Sequence, residues 1–298
     1  MSKVITSKNE LSFKAEDLDP MPVPNKILMV KPEHFSVDYV INPHMEGNVG
    51  TVDKKLAMEQ WEAVRAAFEK TVDEVVVLDG VEGLPDMVFC ANQSLPYMNR
   101  QNGKEVVMSI MNSDMRKAEV PHIEEWYTSA GYEIHHLNYK KISDFEGMGD
   151  AIWHYGKRLL WGGYGFRSSM KAYEFIAETW NVPVIALKLE NPSFYHLDTC
   201  FCILNEDSVL IYPEAFTKKG LALIESMFTN IIEADKHEAE ELFACNATCP
   251  DGKNVVIQRG CKKVNTKLTE AGFTVHEVDT GEFLKSGGSV FCMKMMAW

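Results

Sequence analysis

The chain has no apolar run near the roughly 20 residues needed to cross a bilayer. Its opening stretch, MSKVITSKNELSFKAEDLDP, lacks the apolar centre of a secretory signal. Positive charge is scarce: the formal net charge is −13. That argues against nucleic-acid binding, which relies on neutralising phosphates, and suits a small cationic substrate. Neither GxGxxG nor GxxxxGK[ST] occurs, so the common nucleotide folds lose their main support. Paired CxxC spacing is missing too. Cys200-x-Cys202 and Cys245-x3-Cys249 do not make a zinc site, and no metal is expected. Seven cysteines, an odd number without an export signal, read as reduced thiols of a cytosolic protein with no membrane or nucleic-acid partner.

The 298 residues, 46% apolar and 24% charged, suffice for one large soluble body with an ample core. Residues 1–25 are polar and broken by Pro20, Pro22 and Pro24, and read as a tail or an arm packed on the body. From residue 26 to 298 one grammar repeats without linkers: strand, amphipathic helix, strand, polar loop. Strands are expected at 26–30, 74–78, 105–108, 132–137, 158–161, 183–189, 208–212, 230–233, 254–257 and 273–278. Helices are expected where Ala57, Trp61, Val64 and Phe68 share a face, over 121–131, where Met170, Tyr173, Ile176 and Trp180 share a face, near 218–228, from Lys236 with Asp235 as cap, and over 262–271 before Gly272. Similar units in series predict one closed, cyclic α/β body rather than a doubly wound sheet.

Five loops close the five units, about fifty residues apart. They are PDMVFCAN, ending at Asn92; DFEGMGD around Glu146; FYHLDTC around His196; LFACN, ending at Asn246; and GGSVFC, ending at Cys292. The fourth echoes the first. Three of them carry a carboxylate, an imidazole and a thiol, the parts of a covalent hydrolase. Each also has a plain structural reading. Cys292 could be one more buried thiol, His196 and Asp198 a strand-borne pair on one face, and Glu146 a tight loop capping a helix from Asp150. Sharing one place in the repeat favours the catalytic reading. Cys90, Cys200, Cys202, Cys245, Cys249 and Cys261 are assigned to packing.

With VDYVINPHMEGN at 37–48 and WGGYGFRS at 161–168, these loops resemble the guanidine-modifying enzymes of the pentein superfamily. That superfamily includes arginine deiminases, dimethylargininases and amidinotransferases. The likeness spans nearly all of residues 26–297 and is strongest to bacterial arginine dihydrolase domains. It implies a five-module α/β propeller of pseudo-fivefold symmetry, with no organic cofactor. By motif, Cys292 would be the nucleophile, His196 the general acid and base, Glu146 its partner, and Asp198 the grip on the guanidinium. Asn92 stands where deiminases of this superfamily carry aspartate. Asn42, Phe89 and Arg167 would line the pocket, Arg167 on the substrate carboxylate. Ile110 stands where the dihydrolases carry a second carboxylate-binding arginine; either Arg116 would take over that role or the carboxylate clamp would be weaker here.

The implied reaction is hydrolysis of arginine or a close relative, to ornithine, carbon dioxide and ammonia or only to citrulline. Asparagine at 92 favours the longer course, because it offers the donor that a urea oxygen needs and aspartate does not. Amidino transfer to an amine, dimethylarginine hydrolysis and a non-catalytic binding pentein are the alternatives. The sequence leaves homo-oligomerisation open.

Overall fold

The structure is a computed structural model, and it describes residues 3–298. Five separate sheets follow one another along the chain. In each, a central strand pairs in parallel with the strand after its helix, since a parallel neighbour can be reached only by a long crossover. Lys26–Val30 pairs so with Glu74–Leu78, Lys104–Met108 with Glu133–His136, and Leu160–Tyr164 with Val184–Lys188. Ser208–Ile211 pairs with Asn230–Glu233 and Asn254–Gln258 with Thr274–Val278.

The crossovers are Lys54–Phe68, Val120–Ser129, Met170–Trp180, Lys218–Met227 and Lys262–Glu270. Each buries one apolar stripe on its sheet. On the first, Ala57, Trp61, Val64 and Phe68 go inside, and Asp53 caps the start by accepting from Leu56 N. The third ends on Asn181 in the left-handed region, where asparagine is among the few tolerant residues. Asp235 caps the short helix Lys236–Glu240. These elements lie where the periodicity puts them.

Two parts of the chain differ from expectation. The strand expected at 158–161 begins two residues later, because Arg158 N bonds Asp19 O and its guanidinium bonds Tyr97 and Asn99 outside the ladder. More importantly, four sheets gain an antiparallel strand that the sequence pattern does not show: Ser94–Met98, Ala151–Trp153, Phe201–Ile203 and Met295–Ala297. In the fifth sheet this strand shrinks to one bridge, Thr248 with Val256. Each of these follows directly on a polar loop, so every loop is pinned between a sheet and the next.

Residues 3–25 lie along the body. Val4–Ile5 adds a parallel strand beside Val184 and Ile185, and Met21 N bonds Gly156 O. All seven cysteines are free and buried. Among the described residues, no helix is long and apolar enough to cross a membrane.

Candidate active site

The first, third and fifth loops line a small cavity of about 20 Å3, and the second and fourth bond its wall residues through Glu146 and Asn246. Cys292, His196, Asn92, Phe89, Asn42 and Arg167 all contribute to its wall. Glu146 and Asp198 stand one bond behind it, each holding a wall residue.

Glu146 lies just ahead of a single helical turn, Gly147–Asp150, rather than in an open loop. Gly147 has φ +50°, and a Cβ there would sit 2.3 Å from Ser94 O, so only glycine lets this turn lie against its neighbour. The turn aims Glu146 at His196, with Oε2 2.6 Å from the ring Nε2. Asn112 N donates to Oε1 at 3.0 Å, and Arg167 Nη1 lies 3.3 Å from Oε2. Burial pushes the Glu146 carboxyl up, but the His196 hydrogen bond and charge, then Arg167 and Arg116, outweigh it and hold it down at about 2. Glu146 is therefore an anion that fixes the imidazole, leaving the second ring nitrogen for proton traffic.

His196 and Asp198 do not share a strand face. His196 is extended and is followed by a tight 3-10 turn, Leu197–Thr199, closed by Thr199 Oγ1 donating to His196 O at 2.6 Å. The turn sends the two side chains apart, His196 to Glu146 and Asp198 to the thiol. Cys292 Sγ donates to Asp198 Oδ2 at 3.2 Å, while Asp198 Oδ1 has no partner. Burial pushes Asp198 up to about 7. Burial, followed by the neighbouring Asp198, pushes the Cys292 thiol well above its ordinary value. A cation arriving beside both would reverse this, since it favours carboxylate and thiolate alike.

Asn246 belongs to this site, although only its echo of Asn92 singles it out in the sequence. Its Nδ2 donates to Cys292 Sγ (3.2 Å) and to Asp198 O (3.0 Å), and its Oδ1 accepts from Ser289 N and Cys292 N. Every valence of this amide is filled by the Cys292 loop or by Asp198. Asn92 differs. Its Oδ1 accepts from Arg116 Nη1 at 2.9 Å, but its buried Nδ2 has no partner.

Arg116 also lines the cavity, but its donors are already committed. Its guanidinium pairs with Glu119 at 2.8 Å and donates to the carbonyls of Asp86 and Phe89 as well as to Asn92. So committed, it positions Asn92 and Phe89 rather than clamping a substrate carboxylate. Arg167 retains a freer face: one nitrogen bonds Ile41 O at 2.7 Å, and the guanidinium lies 5.0 Å from the Tyr195 ring. Ile110 offers no charge, and its backbone exchanges two hydrogen bonds with Phe145.

Asn42 closes the rim. Its Nδ2 donates to Ser286 O and its Oδ1 caps the turn Pro43–Met45. Phe89 packs edge-on to Phe35 and lies over Gly288, where a Cβ would meet its ring at 2.4 Å. Asp86 was missed by sequence reading, although it lies inside the first loop. It accepts from Tyr39 and Ser286, and burial raises its pKa.

Comparison with known proteins gives a consistent picture. A family model described as "N,N dimethylarginine dimethylhydrolase, eukaryotic" matches residues 31–297. The bifunctional arginine dihydrolase/ornithine cyclodeaminase ArgZ of Synechocystis is 38% identical over 277 residues, which is 91% of this chain but 37% of that protein. The chain thus spans well under half of this relative. The N(G),N(G)-dimethylarginine dimethylaminohydrolase of Mycobacterium tuberculosis is 33% identical over 274 residues, 91% of this chain and 85% of that one. Among solved structures, the substrate-bound N-terminal domain of ArgZ superposes with a TM-score of 0.85 at 36% identity, over 91% of this chain and 97% of that domain. The mixed α/β fold is therefore the pentein fold.

Proposed function

The chain belongs to the dimethylarginine dimethylaminohydrolase family, and from that premise we propose that it hydrolyses arginine through Cys292, passing through citrulline to ornithine. The observation that carries this reading is the unpartnered Nδ2 of Asn92, buried in the cavity wall with its oxygen already fixed by Arg116. A buried donor without an acceptor is costly unless a ligand supplies one. A guanidinium has no acceptor to give, whereas the carbonyl oxygen of a urea has.

In the first round the guanidinium enters beside Asp198 and Cys292, drawing the thiol towards thiolate. Sγ attacks the central carbon, His196 protonates the departing ammonia, and a water that gives its proton to His196 releases citrulline. In the second round Asn92 Nδ2 holds the ureido oxygen. Sγ attacks again, a second ammonia leaves, and water frees an N-carboxy ornithine that loses carbon dioxide. Two waters are consumed, and ornithine, carbon dioxide and two ammonia result. Arg167 meets the substrate carboxylate. The likeness to ArgZ supports this course, since that protein is an arginine dihydrolase.

The five sheets of one topology, with a functional loop after each, support a five-bladed propeller whose axis passes through the cavity. Residues 26–298 would then form one catalytic domain, with residues 1–25 as its strap. Seven free thiols support a reducing, cytosolic setting.

Dimethylarginine is the second reading. It rests on the family match and on Ile110, which removes one carboxylate contact and leaves Arg167 alone. Amino-acid analysis after incubation with arginine and with asymmetric dimethylarginine tests both, with Cys292→Ser as control. Ornithine from arginine, absent in the control, is the expected result. Citrulline as the only product from either substrate would overturn the two-round reaction.

A further inference from the structure

A second cavity, of about 80 Å3, shares no wall residue with the first. Residues 21–24 of the arm, 153–156 and 248–250 form much of its wall, and Phe291, Lys294 and Trp298 complete it. It lies directly behind the catalytic loops. Met148 in its wall is two residues from Glu146, Thr248 two from Asn246, and Phe291 and Lys294 bracket Cys292.

Two buried residues in this wall, Lys294 and Thr248, have polar groups without partners. Lys294 is 1% exposed, and its ammonium sits 3.4 Å from the centre of the Phe291 ring without an ion pair among the described residues. Burial pushes it down to about 8. Thr248 is 4% exposed, and its hydroxyl has no hydrogen-bond partner. Both residues line this cavity, and a buried cation and a buried hydroxyl without an acceptor are what an anion site offers. Other polar groups are already engaged, the indole of Trp153 by Pro96, that of Trp298 by Pro22, and the His154 ring by Glu206 and Trp161, while Tyr155 brings one more hydroxyl to the wall. No Asp or Glu side chain lines the cavity, so the ammonium of an amino acid would find no counter-charge. The rest of the wall is aromatic and aliphatic.

We propose that this cavity binds a small monocarboxylate with an apolar body, its carboxylate on Lys294 Nζ and Thr248 Oγ1, and that occupancy lowers turnover at Cys292. The space holds about six waters, which suits a ring or a short branched chain. Turnover responds for two reasons. The ligand leans on residues adjoining Glu146, Asn246 and Cys292, and its charge cancels that of Lys294, which otherwise favours ionised Asp198.

The test is calorimetric titration of the full chain with benzoate, and separately with isovalerate. Binding is expected to the parent and, unchanged, to Arg167→Ala, which alters only the first cavity. Lys294→Met should weaken it by about tenfold or more. Thr248→Val, nearly isosteric, should weaken it severalfold even if Lys294→Met fails to fold. In assays of the parent, benzoate should lower kcat and leave KM. Absence of heat up to about 20 mM, equal affinity in Thr248→Val, loss of binding in Arg167→Ala, or a rise in KM alone would overturn the proposal.

Discussion

Asn92 and Asn246 close echoing loops, FCAN and FACN, and are 2% and 0% exposed, yet they are bonded in opposite ways. Asn246 is saturated: both ends of its amide hold the Cys292 loop and Asp198. Asn92 is half satisfied, its oxygen gripped by Arg116 and its nitrogen buried beside Gly149 without a hydrogen-bond partner. One residue type is thus saturated in one unit and left half satisfied in another. Burial alone does not distinguish them. The list of filled and empty valences does.

The largest effect should come from breaking the saturated member. Asn246→Leu strands Ser289 N, Cys292 N and Asp198 O, and is expected to cost about 3 kcal/mol of stability. Turnover should fall about a thousandfold. Urea midpoints and kcat measure the two losses, and a stable, active variant would erase the contrast. Asn92→Asp should behave differently. Stability stays within about 1 kcal/mol, citrulline is still made, and the citrulline-to-ornithine step slows by about a hundredfold. Product analysis over time reads this directly.

Much of this arrangement is legible in the sequence. The crossover helices and the parallel strands are long enough to show a period. Three of the four antiparallel strands are not: Ala151–Trp153, Phe201–Ile203 and Met295–Ala297 span three residues each, too short for alternation to emerge, while Ser94–Met98 is masked by Pro96 at its centre. Glu146, His196 and Cys292 can be picked out because each holds the same place in its unit. Asn246 and Asp86 escape because their importance lies in which partners the fold supplies. For the same reason Arg116 looks like a ligand clamp in the sequence, whereas Glu119, three residues on, claims it in the structure.

Arg116 gives a milder way to sharpen the comparison. Arg116→Lys cannot hold Glu119, Asn92 and two carbonyls at once. Freed, the Asn92 amide should turn, raising KM for citrulline by about tenfold while KM for arginine moves less. Equal changes for both substrates would mean that the amide orientation is not set by Arg116.

A pH effect concerns two buried carboxylates on the same turn. Glu146 is held down at about 2, so its contribution to stability is present above the ordinary carboxylate range and is lost as pH falls towards 2. Asp150, which accepts from Ser168 and Leu197 N, is pushed up to about 7 by burial. The unfolded chain ionises it first, so stability drops as pH rises from about 4 to 7 and is level above. Asp150→Asn should therefore gain on the parent between pH 5 and pH 8, on the order of 2 kcal/mol. Urea midpoints at the two pH values decide it.

The strand Met295–Ala297, three residues past the nucleophile, is hydrogen-bonded to Lys26–Val30, the first strand of the body. The thiol is therefore seated by a contact between the two most distant parts of the fold. Such a pairing forms late, because a long loop must close before it forms. A nascent chain accordingly holds Cys292 unseated until its first and last sheet strands have met.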